Sequence, residues 1–181
     1  MKRHLYAAAA ASPILLLGTL ALAASARAND TPRQMDVSRR GADVMPFSLA
    51  ATTHVFSKTA DGGIQQVVTK THDPKQVTLI REHLSAIARR FSAGDFGAPG
   101  QIHGADMPGL AALRAAKPGE LDIRYRDLPN GGEIAYRSKH GRLVAALHQW
   151  FDAQLSDHGH DATDKQDVGM THHHSMDMPT K

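Results

Sequence analysis

The chain has 181 residues, with 21 Lys and Arg against 18 Asp and Glu, 12 histidines and no cysteine. Three of the basic residues, Lys2, Arg3 and Arg27, fall in the first 28 positions, so the rest is balanced at 18 against 18. Nothing in that balance supports a nucleic-acid or anionic-membrane partner. The lack of cysteine excludes a disulfide framework, a lipoprotein anchor and thiolate metal ligands.

In chain order, the first element is a leader. Lys2, Arg3 and His4 precede an apolar run from Leu5 to Ala24, and Ala26 and Ala28 stand at the small-residue positions of a cleavage site. Residues 1–28 thus read as a secretory signal peptide, cleaved near Ala28, which places the mature chain in the periplasm or outside the cell with no membrane segment. What remains suffices for one domain with an ordinary core. Residues 29–48 mix charge, Gly and Pro without a period and predict an irregular lead-in.

Two similar units follow. The first, residues 49–93, reads HVFSKTADGGIQQVV and then DPKQVTLIREHLSAIARRF; the second, residues 119–158, reads IRYRDLPNGGEIAYRS and then HGRLVAALHQWFDAQL. Aligning Asp61-Gly62-Gly63 with Asn130-Gly131-Gly132 sets His54 on Ile123 and Phe56 on Tyr125. Asp-Gly and Asn-Gly are hairpin signals because they tolerate positive φ. Asp73 before Pro74 caps a helix whose apolar stripe is Val77, Ile80, Leu84, Ile87 and Phe91, and Gly94 stops it. Val144, Leu147, Phe151 and Leu155, widened by Leu143 and Trp150, repeat the stripe before Gly159. The linker 94–118 predicts one short helix, about 108–116. The tail 159–181, polar and unable to bury a core, predicts disorder. The expected architecture is α+β, two ββα units forming one antiparallel sheet with two long helices on one face, plus the short linking helix.

No P-loop, G-x-S-x-G, H-E-x-x-H or dinucleotide fingerprint is present. Histidine is the unusual feature. His72 and His140 fall in turns leading into helices. His83 and His148 sit beside the apolar stripes of their helices, so two comparable histidines face one core, where they meet or flank it. His54 shares the face of its strand that corresponds to Ile123, which aims it at the helices. His103 lies in a glycine-rich loop. Imidazole is a neutral ligand for copper, zinc or nickel, and His54, His83, His103 and His148 form the candidate folded metal site. The tail adds His158, His160, His172, His173, His174, Met176 and Met178, borderline imidazoles and soft thioethers suited to copper. The leading reading is a periplasmic transition-metal protein, copper foremost with zinc or nickel as alternatives, that buffers or carries the ion. The alternatives are an interaction module docking a periplasmic protein through structural histidines, and, ranked last, a metal-dependent enzyme; no catalytic residue is assignable.

At TTHVF, DGG, IREHL, FSAGDF and IHG the chain resembles a group of small exported bacterial proteins with the same order of hairpin, helix, histidine loop, hairpin and helix, over about residues 36–158. The resemblance implies the fold and the exported compartment rather than an activity. Some members carry the name aspartate carbamoyltransferase. This chain lacks the Ser-Thr-Arg-Thr phosphate motif of carbamoyltransferases and has about half the length of their catalytic chain.

Overall fold

A computed structural model of the protein describes residues 30–164. The fold is α+β. Five strands form one sheet in the order β3-β4-β2-β1-β5, with β1 Thr52–Thr59, β2 Gly62–Thr69, β3 Asp122–Leu128, β4 Gly131–Arg137 and β5 Ala162–Thr163. The two hairpins join through an antiparallel β2–β4 pair, and β5 runs parallel to β1 at His54 and Val55, so the sheet is antiparallel except at that edge. The two long helices, α2 Pro74–Ser92 and α5 Gly141–His158, pack on the face that carries His54, Phe56, Gly63, Gln65, Val67, Ile134 and Tyr136.

The central pair has a symmetric register. Gly62 lies opposite Arg137 as Gly131 lies opposite Val68, and exchanging the hairpins under the Asp61/Asn130 alignment leaves the pairing unchanged. The glycines serve this seam. A Cβ on Gly62 would stand 2.0 Å from the Tyr136 carbonyl oxygen, and one on Gly131 2.0 Å from that of Val67. The hairpin signal is therefore right about place, and close backbone approach adds to its cause. No described non-glycine residue has positive φ, Asp61 and Asn130 included; Gly62 does, at +156°, and close backbone approach requires glycine at both Gly62 and Gly131.

Each helix covers the other unit's hairpin. Leu84 of α2 sits against Gly132, and Phe151 of α5 fills the space where a Cβ on Gly63 would lie 2.3 Å from its ring. Neither helix covers its own strands alone, which leaves one shared core of Phe56, Ile80, Leu84, Phe91, Ile134, Tyr136, Leu147, Trp150 and Phe151.

Three segments depart from expectation. The predicted irregular lead-in holds a helix, α1, Pro32–Val44, started by Thr31 and Gln34 in a reciprocal capping box with Pro32 in its first turn. Its apolar face is small, Val37 and Gly41, and polar contacts fix it: Gln34 donates to the Ser156 carbonyl and Arg40 to that of Ile102. The linker holds two helices, α3 Gly97–His103 and α4 Leu110–Arg114, in place of one. The first residues of the expected disordered tail are ordered: Gly159–Asp161 form a helical turn and Ala162–Thr163 add β5. The proposed signal peptide and the tail from residue 165 lie outside the described residues. No helix among the described residues is long and apolar enough to cross a membrane.

Candidate functional site

A cavity of about 300 Å³ lies between α2, α3 and α5, above the sheet. Four imidazoles line it, one from each of four elements. His54 comes from β1, on the face that alternation assigns to the helices. His83 comes from the α2 stripe. His103 is the last residue of α3, and His158 the last of α5. The rings of His54 and His158 stack with centres 4.7 Å apart, and His158 meets His103 edge-on at 5.1 Å. Phe47, buried just after α1, lies edge-on to His83 at 5.6 Å and tilted against His54 at 6.2 Å.

A buried carboxylate fixes one of these rings. Asp157 Oδ2 lies 2.9 Å from His103 Nδ1, and both side chains are 3% exposed. Arg33 of α1 grips the same carboxylate with two bonds, 2.5 Å to Oδ1 and 2.8 Å to Oδ2, and also donates to the His103 carbonyl. Burial pushes the Asp157 carboxyl up, but the bonds from Arg33 and His103 outweigh it and hold the group below its usual range, hence ionised. An ionised Asp157 accepts from Nδ1–H, which leaves the other ring nitrogen, Nε2, with its lone pair.

The cluster favours neutral rings. Burial, then the neighbouring His103 and His83, lowers His54 to about pH 4. Burial lowers His83, and it lowers His103 in spite of Asp157. Burial and the proximity of His54 and His103 hold His158 well below the ordinary imidazole value. Uncharged imidazole is the form that binds metals and exchanges hydrogen bonds with neutral ligands.

Among the described residues, four buried side-chain polar atoms lack a hydrogen-bond partner: His54 Nδ1, His83 Nε2, Trp150 Nε1 and Gln154 Oε1. All four belong to residues that line this cavity. Unpaired buried polar atoms are costly and uncommon, and their gathering at one cavity makes it the candidate functional site.

The structure brings together three of the four histidines expected to form a folded site, His54, His83 and His103, and sets His148 apart. His148 does not line the cavity. Its Nε2 lies 3.0 Å from the Thr59 carbonyl and 2.9 Å from that of Gly62, which makes it the donor that ties α5 to the first hairpin turn. His83 and His148 therefore do not meet. His158, grouped with the ligands of the tail though it is the last residue of the second unit, ends α5 and completes the set. His160 lies in the turn beyond, 3.5 Å from Asp161. His172, His173, His174, Met176 and Met178 lie outside the described residues. Sequence reasoning passed over Arg33, Gln154 and Asp157; the signal for the last two is their spacing from Trp150 and His158 along one helix. Among the described residues, no three His, Cys, Asp or Glu side chains are arranged to hold a metal ion as they stand. Comparisons with protein-family models, with curated proteins and with solved structures find no match.

Proposed function

We propose that the protein is an exported, periplasmic carrier or buffer of a transition metal ion, copper foremost and zinc or nickel next, which binds at the imidazole end of the cavity. His54, His103 and His158 are the ligands and His83 stands by as a fourth. The observation that carries this reading is the contact of three neutral rings beside a buried carboxylate. Two imidazoles on one tetrahedral ion, with metal–nitrogen bonds of about 2 Å, have ring centres roughly 5 Å apart. The separations here are 4.7 and 5.1 Å. Asp157 on His103 Nδ1 supplies the carboxylate that commonly orients a ligating imidazole. The spacing suits an ion but no three of these groups are arranged to hold one as they stand, so binding turns the His54 and His158 rings and leaves His103 on Asp157. The histidines and methionines of the tail collect ions for this site.

The test uses the full-length mature chain with His172, His173, His174, Met176 and Met178 replaced by alanine, titrated with Cu(II), Cu(I) and Zn(II). One tightly held ion per chain is expected, and Asp157→Asn should weaken it by about 10- to 100-fold. A tail-substituted chain that binds none of the three ions sinks the proposal.

A further inference from the structure

The cavity is far larger than an ion requires. At about 300 Å³ it stands at the small end of organic-ligand pockets. Its imidazole end is described above; its other end has a different chemistry. Trp150, Gln154 and His158 recur at four-residue spacing on α5 and so form one stripe along the cavity, indole first, amide next, imidazole last. Across from them α2 contributes Ile87 and Phe91, and the Phe91 ring meets Trp150 edge-on at 5.9 Å. The sheet contributes Phe56. Within this apolar setting Trp150 Nε1–H is a donor without an acceptor and Gln154 Oε1 an acceptor without a donor. Arg90 is the one lining residue that is charged at neutral pH, and its guanidinium is held by Asp95 at 2.8 Å.

We propose that this indole end binds a small, uncharged organic molecule with a flat apolar body and an amide-type edge. The ligand's carbonyl accepts from Trp150 Nε1–H, its N–H donates to Gln154 Oε1, and its body lies against Phe56, Ile87 and Phe91. The ligand is neutral because no unpaired charge lines the cavity to meet an ion of either sign. It is polar at one edge because two buried groups, one turn of helix apart, need opposite partners. The site shares the cavity with the metal reading but none of its ligands.

Trp150 is the sole tryptophan of the chain, so its emission reports on this site without interference. The experiment titrates benzamide, and separately toluene, into the full-length mature protein stripped of metal by a chelator. Benzamide should change Trp150 emission saturably and bind at least about tenfold more tightly than toluene, the difference expected for paired against unpaired buried groups. Gln154→Leu should weaken benzamide about tenfold and leave toluene unchanged. Its melting temperature should not fall, since the substitution removes a buried amide oxygen that has no partner. No saturable change, equal binding of toluene, or a Gln154→Leu protein that binds benzamide as before overturns the inference. A protein that binds benzamide but no ion sinks the metal proposal alone, and one that binds an ion but not benzamide sinks this one alone.

Discussion

Arg81 on α2 and His148 on α5 occupy matching places in the two halves of the molecule. Arg81 donates from Nε to the Gly131 carbonyl at 3.2 Å and from its terminal nitrogen to that of Leu128 at 2.5 Å. His148 donates to Gly62 and Thr59, the residues that align with Gly131 and Leu128. Each helix is thus pinned to the opposite hairpin turn by one side chain bridging two carbonyls. The same matching, set by Leu84 over Gly132 and Phe151 over Gly63, puts His83 opposite Trp150 in role, Ile87 opposite Gln154 and Phe91 opposite His158. All six of these line the cavity. The halves share a scaffold and differ in what they present to the space between them: one imidazole and two apolar groups from α2, an indole, an amide and an imidazole from α5. The lesson concerns histidine. Equal distance from an apolar stripe does not make two histidines equivalent, because a two-residue offset, about 200° around the helix, separates a cavity wall from a hairpin clamp.

The shared scaffold can be broken from either side. Phe151 is fully buried, with ring contacts to Phe56, Tyr136 and Trp150. Phe151→Ala should cost about 3–5 kcal/mol, and Leu84→Ala, its smaller counterpart, about 2–5 kcal/mol, both read from urea unfolding. A Leu84→Ala protein as stable as the parent would mean that α2 does not carry the second hairpin as α5 carries the first.

The unequal contents of the halves give a pH test. His54 sits where the other half has Ile123, and its pKa falls from 6.5 to about 4 in the folded protein. The unfolded chain then binds more protons than the folded one between those values, so stability is full above pH 6.5 and is lost as pH falls toward 4. The shift corresponds to about 3 kcal/mol. His54→Ile, which installs the residue of the matching strand, should flatten this part of the unfolding-versus-pH curve. A curve as steep as the parent's would assign the loss to His83, His103 and His158 alone.

How much of this could be read beforehand follows the range of the forces involved. The hairpins and long helices announce themselves locally, through Asp-Gly, Asn-Gly, an Asp73-Pro74 cap and stripes at helical period. The orientation of His54 follows from strand alternation and its match to Ile123. The elements that close the cavity are different. α1 buries little beyond Val37 and Gly41 and is held by Arg33 on Asp157 and Arg40 on Ile102, partners far away in sequence. Its local signal is the Thr31 and Gln34 capping box. α3 starts without a side-chain cap and contains two glycines and a proline, so no propensity argument finds it. β5 is two residues long and exists because β1 offers it an edge. Gly159 marks the end of the second helix in the sequence, and His158, the residue before it, groups with the ligands of the tail by composition alone. The helix does end there, and its last residue is the one that turns into the site.

The clamp at His148 supplies the finest discrimination between the halves. His148→Ala removes a donor from two carbonyls and should cost about 1–2 kcal/mol in urea unfolding. His148→Arg copies the side chain that performs this task on α2 and should recover more than half of that loss, since guanidinium reaches paired carbonyls as Arg81 does. Ion affinity should be unchanged in both variants, because the clamp stands apart from the cavity. Loss of the ion in His148→Arg with stability retained would return His148 to the site and undo the assignment of His158 in its place.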